Sequence, residues 1–222
     1  PLHSSAASDV YKRQEQIIVR NTRAEYNVAG IEIENSYHAD VYNNIATNNT
    51  GGILIFDLPN LPKQGGKFVR VFKNKSFNNN TENFAPEGNI VGLVPSGTGL
   101  IIMANRNVEV FENSFDNNQT VHIAVVAGEL ESGDENYDPY PKGVQIHNNQ
   151  YSNVGKNPDL SRGDLSPILV DIASGDMPDI IWDGLLPVSQ LLFGQPENEK
   201  IIIEEANAVS YTHLTLPTNV AG

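Results

Sequence analysis

Carboxylates, tyrosines and cations crowd two separate parts of this sequence. Asp57, Lys63 and Lys67 form one group, Asp134, Glu135, Tyr137, Asp138, Tyr140 and Lys142 the other, and Asn105 and Arg106 lie between them. Such side chains suit a carbohydrate, whose ring faces stack on tyrosine and whose hydroxyls bond to charged groups and amides. The hard oxygens of Asp134, Glu135 and Asp138 also suit calcium, and with it a calcium-assisted polyuronide site. A glycosidase needs two carboxylates at a defined separation, which spacing along the chain does not supply. A polysaccharide lyase needs a base; Lys67, Arg106, Tyr140 and His147 are of suitable type, but no motif singles one out. No residue is therefore assigned a catalytic role. His38, His122 and His147 lack the spacing of a zinc or copper site. The competing reading of 129–138 is a solvated acidic loop.

A repeat is what brings these distant groups together. The stretch 30–52 is one turn of it: Ile31 and Ile33, a polar corner, Ala39 and Val41, then Asn44, Ala46 and Asn49, with Gly52 restarting the cycle at Ile53 and Ile55. The pairs Ile17/Val19, Ala39/Val41, Val69/Val71, Val108/Val110 and Val144/Ile146 are copies of one strand. Fixed offsets after them give three columns: Thr22, Asn44, Asn74, Asn113, Asn149; Ala24, Ala46, Ser76, Phe115, Tyr151; and Asn27, Asn49, Asn79, Asn118, Val154. A unit that buries its apolar side only by stacking on copies of itself marks a solenoid, and alternation of period two makes it a β-solenoid. The fold class is all-β: a right-handed parallel β-helix with two short strands per coil, long loop insertions and a C-terminal cap, its hand following from the crossover rule.

Stacking assigns the columns. Ile31/Ile33, Ile53/Ile55 and Leu100/Ile102 point inward as ladders, whereas Val121, Ile123 and Val125 alternate best if His122 faces outward. Corner asparagines satisfy backbone groups and bond to the coils above and below. The triplets beginning at Asn48, Asn79 and Asn118 match the glycosylation acceptor pattern, which an Asn-rich solenoid generates by composition. Asp40, Arg70, Glu109 and Gln145 form an outward row of alternating charge. The turns 33–39 and 102–108 are short, but 55–69 and 125–144 are long. The loops 56–68 and 126–143 should then rise on either side of 103–107 and leave a notch holding Asp57, Lys67, Asn105, Arg106, Tyr137, Asp138, Tyr140 and Lys142. A second insertion, 79–100, folds over a flank. Beyond Val154 the repeat fades. A cap is expected over 156–207, with Ile180 and Trp182 packed on the last coil, a short strand at 166–172, and 185–193 as a short helix or covering loop.

The ends read differently from the middle. Asp9 to Gln14 and Val209 to His213 can be encoded by complementary strands of one short DNA that resembles a sequencing-library adapter, a match extending over 4–14 and 209–218. Residues 1–14 and 208–222 are accordingly expected to be processing scars outside the fold, with coils at 15–155, the cap at 156–207, and further coils upstream. The chain has a net charge of −13 and no cysteine. That balance argues against nucleic acid and anionic membranes, which need a basic footprint, and thiolate chemistry is excluded. No apolar run approaches a membrane span, and a monomer is expected.

The runs 23–35 (RAEYNVAGIEIEN), 57–62 (DLPNLP), 83–86 (NFAP), 137–141 (YDPYP) and 178–184 (PDIIWDG) resemble a bacterial family of exported proteins with right-handed parallel β-helix repeats. The resemblance covers nearly all of 17–207 and implies an extracytoplasmic location. It brings no catalytic residues to carry over. Wider fold relatives include pectate lyases, alginate epimerases and lyases, and periplasmic copper-related proteins. Asp138-Pro139 is similar to the Asp-Pro-His motif of mannuronan epimerases, but Tyr140 stands where histidine is required. Two functions follow as expectations: polysaccharide binding, with or without modification, in the notch, or a noncatalytic surface or periplasmic scaffold for a protein partner. The first expects Tyr137, Tyr140 and Arg106 in one groove. The second expects dispersed charges and an exposed apolar patch.

Overall fold

The computed structural model describes residues 15–86, 88–162 and 177–212. The segments 1–14 and 213–222 and the strand expected at 166–172 lie outside these. The described chain is a parallel β-helix built from three sheets. The first runs β1 (Glu15–Arg20), β4 (Tyr37–Tyr42), β7 (Lys67–Phe72), β10 (Arg106–Phe111), β13 (Gln145–His147), β16 (Ile202–Glu204). The second holds β2 (Arg23–Glu25), β5 (Ile45–Thr47), β8 (Lys75–Phe77), β11 (Ser114–Asp116) and β14 (Gln150–Ser152). The third runs β3 (Ala29–Glu34), β6 (Gly51–Phe56), β9 (Thr98–Met103), β12 (Val121–Val126), β15 (Ile180–Trp182), β17 (Ser210–Thr212). All neighbouring strands pair in parallel, with Ile17, Ala39, Val69 and Val108 in one register and Ile31, Ile53, Leu100 and Ile123 in another. These ladders form the core. Each fully buried aliphatic contributes roughly 1.5–3 kcal/mol.

Each of the first five coils has a third strand that the two-strand reading lacked. The second-sheet strands are only three residues long because left-handed bends bracket them: φ is 54° at Asn43 and 55° at Asn48, 55° at Lys73 and Asn78, 54° at Glu112 and 50° at Asn117. This explains the doubled asparagines. In Asn43-Asn44 and Asn48-Asn49 the first residue takes the left-handed bend, which asparagine tolerates, and the second turns inward. Asn44, Asn74 and Asn113 each accept the backbone N–H of the preceding coil's corner on Oδ1. Their Nδ2 atoms donate to Val19, Val41 and Val71 carbonyls. The column ends on Glu205, which accepts Asn149 Nδ2 at 2.7 Å and Tyr151 Oη at 2.8 Å. Asn79 and Asn118 are fully buried in the sister column, so both are sealed from glycosylation.

His122 departs from expectation: it is fully buried rather than outward-facing. Ile123 and Val125 keep register with Leu100 and Ile102, which places His122 beside Gly99, in the column of Gly52 and Gly99. An added Cβ at Gly52 would lie 2.2 Å from Ser76 Oγ, so that column is closed to side chains in the middle coils. At the fourth coil the imidazole replaces the missing asparagine and ends the second ladder. Its Nδ1 accepts Asn118 Nδ2 at 3.0 Å, so the proton sits on Nε2, which donates to Ser152 O at 2.9 Å. Burial pushes its pKa down, against the pull of Asp179.

From β6 to β15 the third sheet is buried on both faces, whereas Glu32 and Glu34 of β3 are exposed. Leu54, Ile101, Ala124 and Ile181 on its outer side lie under Val94, Val91 and Leu58 from the loops and under Met177. The insertion after β8 does fold over this flank. Asn83 holds it by donating to Val91 O and Val94 O, both at 2.9 Å. Ile180 joins the core and Trp182 packs on it as expected, but the cap continues the coils instead of merely covering them. Ser210–Thr212, expected outside the fold, pairs with β15. The helix α1 (Val188–Phe193) covers little: Leu192 is 71% and Phe193 87% exposed.

Replacing Asn74 by alanine orphans the Asn44 N–H and the Val41 carbonyl inside the core. We expect a loss of about 3 kcal/mol in denaturant unfolding, at 1–3 kcal/mol per orphaned group. For His122 the folded pKa lies below the unfolded one, so its stabilisation is complete above the unfolded value of about 6.5 and is lost as pH falls below it. The stability difference between wild type and His122→Gln should therefore narrow from pH 8 to pH 5, and a constant difference would contradict this account of the imidazole.

Candidate functional site

The two long loops meet over the short turn instead of standing apart. Tyr137 is the wedge between them: it is buried, and its Oη donates to Asp57 O at 2.9 Å. Gly128 makes room for that ring, since a Cβ there would lie 1.8 Å from Tyr137 Oη. Asp134 ties the loop tips by accepting Asn60 N at 2.7 Å and the Gln64 carboxamide; these bonds, with Asn136 N–H, hold its pKa below the usual range. Asp57 is nearly inaccessible and staples its own loop, accepting Gly65 N at 2.9 Å and Gly66 N at 2.8 Å. Burial raises its pKa despite the opposing pull of those two N–H groups. Asn105 is also buried, donating to Phe56 O and accepting Arg106 N.

Asp138 is engaged as well. Arg106 Nη2 lies 2.6 Å and Lys142 Nζ 2.7 Å from its Oδ2, and its Oδ1 accepts Tyr140 N. The expected convergence of Tyr137, Tyr140 and Arg106 therefore does not occur, because Tyr137 is interior and Tyr140 is half-buried and lines neither cleft described below. Nor do the calcium candidates converge. Asp134 turns to the opposite loop, Asp138 to its cations and Glu135 outward, and no cluster of three acids or histidines suited to a metal occurs among the described residues. What remains open is a polar cup of about 510 Å³ where the loops join, bounded by Asn60, Gln64, Asn136, Asp134 and Arg106.

A second cleft, of about 490 Å³, lies on the outer face of the first sheet, between His38, Phe68, Arg70, Asp40, Asn107 and Glu109. The cup and this cleft are neighbours in sequence at β10, where Arg106 lines the first and Asn107 the second; Tyr37, Lys67 and Arg106 pair across neighbouring strands, followed by His38, Phe68 and Asn107. Tyr37 Oη donates to the Gln64 carbonyl, and Lys67 Nζ sits 5.0 Å from the Tyr37 ring and 5.6 Å from the Phe68 ring. In the outward charge row Arg70 grips Asp40 through two bonds of 2.8 and 2.7 Å, while Glu109 turns to His147 at 3.2 Å. Beside it runs an aromatic ladder, Tyr42, Phe72, Phe111 and His147, with centroids 4.9–5.4 Å apart and nearly parallel planes. Those rings cover one another's faces and leave edges to solvent. Sequence reading missed both the ladder and the cleft. The signal was available, since these residues directly follow or precede the inward pairs, as Tyr42 follows Val41 and Phe68 precedes Val69.

Comparison of the chain with protein-family models, curated proteins and solved structures finds no match. Among the described residues no helix is long and apolar enough to cross a membrane. An Asp57→Ala change tests whether that carboxylate is a staple. It should cost about 2 kcal/mol and speed amide exchange at Gly65 and Gly66, which lose their acceptor; unchanged exchange would return Asp57 to the list of ligand candidates.

Proposed function

We propose that the protein is an extracytoplasmic, noncatalytic β-helix that binds polysaccharide across the two adjoining clefts. The observation that supports this reading is their proximity: amides and a guanidinium line the cup, exposed rings line the sheet face, and Arg106 of the cup and Asn107 of the cleft are consecutive residues of β10. Clefts of this size and mixed polarity suit an extended chain of hydroxyl-bearing rings. A binding role is favoured over catalysis because Asp57, Asp134 and Asp138 are each held by structural partners, so none is poised to exchange a proton with a substrate. The resemblance to exported β-helix repeat proteins is the ground for the location.

One observation favours the scaffold reading. Helix α1 exposes Val188, Leu191, Leu192 and Phe193 together, an apolar patch of the kind that meets a protein partner. Binding of the full chain to an array of neutral and acidic polysaccharides, with and without calcium, separates the two. We expect binding that weakens about tenfold in Gln64→Ala and Arg106→Ala, equivalent to roughly 1.4 kcal/mol. A folded protein that binds no polysaccharide would transfer the assignment to the scaffold.

A further inference from the structure

Phe68 is in the wrong backbone conformation for its side chain. The position before the first inward residue of the first-sheet strand is left-handed in the first five coils: φ is 61° at Gln16, 57° at His38, 61° at Phe68, 50° at Asn107 and 64° at Gly143, whereas Lys200 in the sixth has φ −63°. The solenoid corner imposes that bend, and asparagine and glycine meet it with little strain at 107 and 143. A bulky aromatic there is an outlier. Burial compensates only in part, because 43% of the residue stays exposed and it belongs to neither core cluster. His38 stacks on it with centroids 4.8 Å apart and planes 13° from parallel, which fixes the ring but leaves its outer surface open to the cleft. A residue that is strained, exposed and braced is held for something outside the chain.

We propose that the Phe68–His38 pair is the stacking platform of a subsite for a neutral pyranose of the bound polysaccharide, an inference that rests on the polysaccharide reading above. The ligand class follows from charge. Asp40, Arg70 and Glu109 around the cleft sum to one negative charge, Lys67 directs its ammonium at the Tyr37 and Phe68 rings, and the whole chain carries −13. A polyanion meets repulsion from that field. A neutral sugar sets its apolar face on the Phe68 ring and its hydroxyls against the Asp40 and Glu109 carboxylates, the Arg70 guanidinium and the Asn107 amide.

The test compares the wild-type chain, Phe68→Asn and Phe68→Tyr for binding to cellohexaose, mannohexaose and hexagalacturonate, with thermal melts of each. Phe68→Asn relieves the strain, so its Tm should rise by about 2 °C while affinity for a neutral hexaose falls about tenfold. Phe68→Tyr should keep both the wild-type Tm and the affinity. Unchanged affinity in Phe68→Asn would remove the platform while leaving the polysaccharide reading intact, provided that Arg106→Ala still weakens binding. Tighter binding of hexagalacturonate than of either neutral hexaose would overturn the ligand class. Absence of binding to any polysaccharide by the folded wild type would overturn the parent reading together with this one.

Discussion

Every coil must turn three corners without stranding polar backbone groups in a core of aliphatic ladders, and the buried carboxamide is the device that permits this. One asparagine side chain accepts the N–H of the neighbouring coil's corner and donates to a strand carbonyl, so the two corners that flank the second sheet are fixed to their neighbours as well as closed on themselves. A buried donor left without a partner costs on the order of 1–3 kcal/mol, comparable to one buried core side chain. Register, coil spacing and the direction of each outward side chain follow from that linkage. The two columns must also end. Glu205 supplies an acceptor-only terminus to one, and the neutral imidazole of His122 terminates the other.

Rigid corners explain why function concentrates where the repeat is interrupted. Two of the turns between the third and first sheets, which lie outside both asparagine columns, grow into loops that interlock through Tyr137 and Asp134. The charges that crowd the notch sequence are largely the means of that interlocking. The proposed polysaccharide surface therefore lies at the rim of the loops and on the adjoining sheet face, where side chains are presented by backbone that cannot readily move.

The legibility of the fold and the illegibility of the site share a cause. Ile53, Leu100 and Val69 announce themselves because a strand has period two and the coils stack in register, so type and spacing are enough. The short second-sheet strands escaped because the left-handed residues on each side, most of them asparagines, read equally well as turn. Tyr137 and Asp57 were placed in the right region but in the wrong role. A tyrosine or carboxylate in a long loop has no periodicity to say whether it faces solvent or a neighbouring loop, and only the Tyr137 contact with Asp57 O decides it. His122 failed for a related reason: a buried imidazole needs two partners, and Asn118 comes from the preceding corner of its own coil and Ser152 from the next coil.

By itself the sequence determined the stacked parallel coils, the inward ladders, the asparagine corners and the two loops that would interrupt them. These depend on local conformational preference and on burial repeated at fixed spacing. Only the tertiary structure decided that the loops meet, that the notch acids are held by cations and backbone N–H groups, and that the open surface carries Phe68 and His38 instead of Tyr137 and Tyr140. Contacts between separate loops depend on which unpaired donors and acceptors come within hydrogen-bonding distance after the coils have stacked, and no local preference encodes that.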